Sequence, residues 1–215
     1  MARNDYRGLF IAFEGLDGSG ASIQAALLSE YLEKQGYRTL LTHEPTNNLI
    51  GGIIRAHHSG EWAVEQRGLQ LLYAADRAQH LEREIIPALT AGKIVIIDRY
   101  ILSSIAYGSH NQPELTQWLE AVNQPFVTPD LTFIINVRPS ICALRIEQSR
   151  YEKLSLYRQE ETLTKVWKVY EELAKKYYKV NIVDGEQEEM EIMREITDIT
   201  EEALGSGKTK LSKGK

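Results

Sequence analysis

Phe13-Glu14-Gly15-Leu16-Asp17-Gly18-Ser19-Gly20-Ala21-Ser22 follows an apolar run, Leu9 to Phe13, and leads directly into a helical pattern. In a strand–loop–helix setting of this kind, glycines let backbone N–H groups face an anion, and the helix N-terminus adds partial positive charge. The phosphate-loop pattern G-x-x-x-x-G-K-[ST] is met at Gly15, Gly20 and Ser22, while Ala21 stands where the lysine belongs. With that position changed, the loop alone leaves open a glycine-rich turn that holds no ligand. The rest of the chain has to decide.

Three further apolar segments read as strands: Thr39-Leu40-Leu41, Ile94-Val95-Ile96-Ile97 and Leu131-Thr132-Phe133-Ile134-Ile135, with a weaker one at Val180-Asn181-Ile182-Val183. Most are continuous apolar runs, as expected of strands covered on both faces in a parallel sheet. Ile23, Leu27, Leu28, Tyr31 and Leu32 recur at helical spacing up to Gly36. A second helical stretch runs from Leu69 through Leu72 and Tyr73 to Ile85 and Ile86, before Pro87. Strands alternating with helices predict an α/β sandwich of crossover units.

No internal repeat and no long linker interrupts the chain, so residues 1–204 are expected to form one domain. Residues 143–165 are rich in Arg, Glu, Gln and Ser. That composition suits a lid, at about 143–160, or equally a solvated helix pair. The basic tail, 205–215, is expected to be disordered. Its Gly-Ser-Gly-Lys-Thr string imitates a phosphate loop, but no strand precedes it and no helix pattern follows.

Composition narrows the function. The chain has 215 residues, 43% hydrophobic and 26% charged, the balance of a globular protein rather than a disordered or fibrous one. Its 25 Lys and Arg face 30 Asp and Glu, and four of the lysines lie in the tail. A body this acidic lacks the basic footprint of a nucleic-acid binder. Cys142 is the sole cysteine, which excludes an internal disulfide or a Cys-based zinc site. The five histidines show no His-Glu-x-x-His spacing. No apolar run reaches the ~20 residues of a membrane helix, and Met1 to Gly8 is polar, so a cytoplasmic protein with no membrane partner is expected.

Two more groups can carry chemistry. Asp98-Arg99-Tyr100 follows the strongest strand. An acid there can orient Mg²⁺ through water and the adjacent Arg can clamp a phosphate. Alternatively Asp98 caps the next helix and Arg99 lies on the surface. Tyr73 and Arg77 are four apart on one helical face, suited to the base and phosphate of one nucleotide. Taken alone they also fit a core Tyr beside a solvated Arg.

In combination these stretches resemble the thymidylate kinase family of nucleoside-monophosphate kinases. The likeness runs in order through Phe13 to Gly20, Glu44-Pro45-Thr46, Leu71 to His80, Asp98-Arg99-Tyr100 with Ser103-Ser104 and Ala106-Tyr107, Pro129-Asp130-Leu131 and Arg150-Tyr151-Glu152. It implies a P-loop kinase three-layer sandwich, with a five-stranded parallel sheet flanked by helices and a short lid. It also implies transfer of the ATP γ-phosphoryl group to dTMP, with Mg²⁺ as cofactor, and a homodimer.

Carried over by position, Gly15, Asp17, Gly18, Ser19, Gly20, Ala21 and Ser22 would cradle ATP, and Ser22 and Asp98 would serve the metal. Asp17 would also face the deoxyribose 3′-hydroxyl, with Glu44 beside the acceptor phosphate. Arg77 and Arg99 would hold the dTMP phosphate, Tyr73 would stack on thymine, and Tyr107 and Tyr151 would close the nucleoside pocket. Asp98, Arg99, Arg145 and Arg150 form the implied catalytic set.

The chain departs from the family pattern at Ala21, at Ile23 in place of Ser or Thr, and at His43 in place of an Arg before Glu-Pro. Removing one preorganised donor to a transferring group typically costs ~10²–10³ in rate. Either another cation, such as Arg145 or Arg150, does the work of the lysine, or the protein is an inactive homologue that binds nucleotides. An engineered alanine in an ordinary kinase is a third reading. The acidic run Glu186 to Glu202 is a solvated helix face or, in a different class of function, a docking surface for a partner.

Overall fold

The computed structural model describes residues 3–148 and 159–205. Each apolar run becomes a strand: β1 (Phe10–Gly15), β2 (Thr39–His43), β3 (Ile94–Asp98), β4 (Leu131–Asn136) and β5 (Val180–Asp184). They pair in parallel in the order β2-β3-β1-β4-β5. β1, at the centre, is buried along its whole length, which explains why its sequence does not alternate. β5 lies at the edge and is half-exposed, hence its weaker apolar signal.

Helices fill the crossovers: α1 (Ala21–Lys34), α2 (Leu49–His58), α3 (Gln66–His80), α4 (Ile86–Thr90), α5 (Ile101–Ser109), α6 (Leu115–Asn123), α7 (Pro139–Gln148), α8 (Glu160–Lys176) and α9 (Glu189–Gly205). α1 packs with α9 and against β1, β2 and β3, while α5 packs on β1, α6 and α8. The sheet is thereby enclosed between helical layers, the expected P-loop kinase sandwich. Phe13 and Phe133 are partners in register on β1 and β4, with ring centroids 5.3 Å apart in the core.

Two helix readings need amending. Leu28 and Leu32 are fully buried on α1, but Ile23 is 53% exposed and lies off the core face. α1 stops as expected. Gly36, at φ 85°, follows its last residues, with Gly36 N–H donating to Glu33 O (2.9 Å) and Tyr37 N–H to Leu32 O (3.0 Å). These two bonds form a Schellman motif. Pro87, by contrast, does not end its helix. A π turn at Leu81–Ile85 resets the hydrogen-bond ladder, and Pro87 falls in the first turn of α4, where no N–H is required of it.

The lid candidates divide at the same boundary. Arg145 lies on α7, whereas Arg150 and Tyr151 are outside the described residues, as are most of the expected lid and all of the tail after Gly205. The ends of β1 and β3 lie side by side, and the chain leaves them in different directions, the place where open α/β sheets bind ligands.

Phe133→Ala is expected to lower stability by about 3–5 kcal/mol. Urea unfolding would read this as a lower midpoint at unchanged slope, and an unchanged midpoint would contradict the packing described.

Candidate active site

The loop between β1 and α1 takes a conformation that only its glycines accommodate. Gly18 has φ 80°, and a Cβ there would lie 2.8 Å from Cys142 O on α7. Gly20, at φ 91°, is the N-cap of α1 and has open space where a Cβ would be. Its carbonyl accepts from Ile23 N–H and Gln24 N–H, each at 3.1 Å, so the helix begins directly behind the loop. Ala21 is the first residue of α1 and is 5% exposed. The Arg145 guanidinium sits on the loop, Nη1 donating to Gly18 O at 3.2 Å and Ser19 O at 3.5 Å.

Asp98 ends β3 beside the loop. Ser22 Oγ donates to its Oδ2 at 2.5 Å, and its Oδ1 is buried without a hydrogen-bond partner among the described residues. Asp98 is therefore not a helix cap; α5 has Tyr100 at its N-cap position and no side-chain cap. Arg99 is not a surface residue either. Its Nη1 donates to Gly15 O (3.1 Å) and Ser103 Oγ (3.2 Å), and its Nη2 donates to Asp17 Oδ1 (2.5 Å). Burial opposes its charge, but Tyr107, Asp17, Tyr170 and Asp98 outweigh that and raise its pKa.

Glu14 anchors this arrangement from below and was given no role from sequence. It is fully buried. Tyr100 N–H (3.1 Å), Ser103 Oγ and Tyr170 OH (3.1 Å) all donate to its carboxylate. Burial raises its pKa, with Ser103, Arg99 and Tyr170 pulling the other way. Burial likewise raises the pKa of Tyr107 and Tyr170, so these phenols remain protonated donors.

Beside the loop lies a cavity of about 270 Å³. Asp17, Glu44, Tyr73, Arg77, Arg99 and Tyr107 all line it, so the six predicted acceptor-side residues that are described converge on one space. Tyr107 OH donates to Asp17 Oδ1 (3.1 Å) and accepts from Asp17 N–H (2.8 Å). Arg77 is 1% exposed rather than solvated. It pairs with Glu44 at 2.7 Å, donates to Ser104 Oγ at 3.0 Å and to Asn123 Oδ1, and lies over the Tyr100 ring. Tyr73, the other member of that pair, is half-buried at the cavity wall rather than in the core. Glu44 is held from its other side by His80 Nδ1 at 3.2 Å.

His58, Gln70, Ser103 and Ser104 also line the cavity. Gln70 stands three residues before Tyr73 and seven before Arg77, a helical spacing that would have found it. His58 sits on α2 and had no such signal. It shares a hydrogen bond with Tyr73 OH (2.7 Å). Burial lowers its pKa, with His57 adding to the effect.

A histidine whose folded pKa lies below its unfolded value loses stability as pH falls, because the unfolded chain takes up the proton more readily. His58→Gln is expected to flatten the fall in thermal midpoint between pH 7.5 and 5.5. The same slope in the native and variant proteins would contradict the burial of this imidazole.

Comparison with known proteins bears on this geometry. The family model described as thymidylate kinase matches residues 13–196. A probable thymidylate kinase of Thermococcus gammatolerans is 36% identical over 208 residues, covering 93% of this chain and 99% of the relative. A thymidylate kinase of an Exiguobacterium species is 36% identical over 211 residues, covering 93% and 97%. A probable thymidylate kinase of Pyrococcus horikoshii is 43% identical over 136 residues, covering 61% and 66%.

Proposed function

The chain belongs to the thymidylate kinase family of nucleoside-monophosphate kinases, and from that premise we propose that it transfers the γ-phosphoryl group of ATP to dTMP, giving dTDP and ADP. The observation that supports this most is the shared cavity. Asp17, Glu44, Tyr73, Arg77, Arg99 and Tyr107 line one space, and Arg99 and Asp17 tie that space to the phosphate loop.

Phosphoryl transfer asks mainly for positioning and charge neutralisation. In this reading the backbone from Gly15 to Ser22 cradles the ATP phosphates. Arg99 grips the dTMP phosphate, and Arg77 supplies a second cation from the cavity wall. Tyr73 lies along the base, and Asp17 with Tyr107 limits the room around the sugar. Arg99 reaches both the loop carbonyl of Gly15 and the side chain of Asp17, which joins the acceptor cavity to the loop.

Mg²⁺ fits the residues available. Ser22 Oγ and Asp98 are hard oxygen donors, and Asp98 Oδ1 is a buried oxygen without a hydrogen-bond partner among the described residues. Among the described residues no cluster of three or more His, Cys, Asp or Glu could hold a metal alone. This suits an ion that binds through one carboxylate, waters and substrate phosphates. When bound, Mg²⁺ neutralises charge on the β- and γ-phosphates.

Ala21 removes the usual loop cation, and the donor-site chemistry is altered accordingly. Arg145, already on the carbonyls of Gly18 and Ser19, is the nearest candidate to supply the missing charge. Arg150 would be a second source from the lid. The alternative is a catalytically inactive homologue that binds nucleotides. The assembled cavity and the placement of Arg145 favour the enzyme.

A homodimer in the cytoplasm completes the proposal. Leu49, Ile53 and Leu71, on α2 and α3, are exposed apolar side chains that a second copy could cover. Among the described residues no helix is long and apolar enough to cross a membrane.

ADP formation from Mg-ATP and dTMP tests the function. The native protein is expected to turn over measurably. Arg145→Ala should lower kcat by about 10²–10³-fold, and Ala21→Lys should raise it. A silent native protein beside an active Ala21→Lys variant would support the inactive homologue, and silence from both would overturn the kinase reading.

A further inference from the structure

We propose that Tyr170 is a positioning residue for the acceptor phosphate, its hydroxyl fixing Ser103 and, through Ser103, the Arg99 guanidinium; this rests on the dTMP reading above. Tyr170 does not line the cavity. It is fully buried on α8, where that helix packs on α5. Leu163, Val166 and Leu173 are buried on the same helix and supply apolar packing, which needs no hydroxyl. The Tyr170 hydroxyl instead lies 2.9 Å from Ser103 Oγ and 3.1 Å from Glu14 Oε2.

Counting protons shows what that hydroxyl does. Ser103 has one hydroxyl proton, and it goes to Glu14 Oε2. Its oxygen then accepts twice, from Arg99 Nη1 at 3.2 Å and from Tyr170 OH, which fills both lone pairs of a hydroxyl oxygen. The phenol proton is shared between Ser103 Oγ and Glu14 Oε2. Burial, and after it the Glu14 charge, raise the pKa of Tyr170 well above its ordinary value, so the proton stays in place. Arg99 is anchored in the phosphate loop by Gly15 O and Asp17 Oδ1, and Ser103 is its anchor on α5. Without the Tyr170 hydroxyl, one orientation of Ser103 is no longer fixed, and that anchor loosens.

The ring has a separate task. It stands edge-on to Tyr107, with centroids 6.4 Å apart and planes at 84°, and beside Trp167. Tyr107 in turn donates to Asp17. The ring therefore supports the sugar side of the cavity, and the hydroxyl supports the phosphate side. Tyr170→Phe divides the two, because it deletes the hydroxyl and keeps both ring contacts.

Calorimetric titration of the full chain with dTMP and with thymidine, without ATP, reads the phosphate apart from the sugar and base. Tyr170→Phe is expected to weaken dTMP about 5-fold, as loss of one hydrogen bond implies, while thymidine changes less than about 2-fold. In an Arg99→Lys background the same substitution should weaken dTMP less than about 2-fold, because a residue acting through Arg99 has nothing left to position. Ser103→Ala breaks the link from the α5 side and should reproduce the pattern, with no further loss on adding Tyr170→Phe. Unchanged dTMP affinity in Tyr170→Phe would overturn the role. So would equal weakening of dTMP and thymidine, or equal weakening in the Arg99→Lys background, either of which marks Tyr170 as a packing residue. These results leave the dTMP reading standing as long as the native protein prefers dTMP to thymidine. A native protein that binds neither ligand, or both equally, would overturn that reading and this inference with it.

Discussion

Arg99 holds a left-handed backbone, φ 67°, which costs a non-glycine residue about 1–2 kcal/mol, and the surrounding groups are arranged to keep it there. Its guanidinium bonds to the carbonyl of Gly15 and the carboxylate of Asp17 in the phosphate loop, and to Ser103 on α5. The next residue, Tyr100, gives its N–H to Glu14. The end of β1, the end of β3 and the start of α5 thus share one polar junction. Without it the loop and the cavity would be two separate features of the sheet edge. With it, the loop and the cavity are held at a fixed position relative to one another.

The junction depends on Glu14, an acid buried in the layer between β1 and α8. Burying a carboxylate is unfavourable unless its oxygens are satisfied. Here three donors converge on it, with the Arg99 charge nearby. Removing one of these donors would leave a buried carboxylate oxygen unsatisfied, at a cost of about 1–3 kcal/mol or more. A buried ion pair, Arg77 with Glu44, lines the cavity as well. In the proposed reading the acceptor side is built from these buried groups, and the donor side, with Ala21 in place of a cation, would draw on the Arg145 guanidinium that α7 places on the loop.

Local features of the chain were legible and long-range ones were not. The apolar runs became strands because a central parallel strand has both faces covered, and the glycine loop lay at the end of β1 because its spacing admits little else. The resemblance to a family assigns Tyr73, Arg77, Arg99 and Tyr107 to one nucleotide site, and all four line one cavity, while Asp98 stands beside Ser22 of the loop. Burial was harder to read. Arg77 read alone as solvated, yet Glu44, Asn123 and Ser104, each far off in sequence, enclose it. Glu14 looked like part of a motif, and its partners come from α5 and α8. Pro87 misled because a π turn is a hydrogen-bond register, invisible in residue types. Ile23 fitted the helical period but points away from the sheet. The parts of the lid reading that concern Arg150 and Tyr151 fall outside the described residues.

The central claim is that Arg99, fixed by the phosphate loop and α5, provides the grip on the acceptor phosphate. Titrating the native protein and Arg99→Lys with dTMP and with thymidine isolates that grip, because the two ligands differ only in the phosphate. The account predicts that dTMP binds at least ~10-fold more tightly than thymidine to the native protein, in keeping with a charge-assisted, two-pronged contact. It also predicts that Arg99→Lys removes most of that advantage while thymidine binding changes little. An advantage of equal size in both proteins would contradict it.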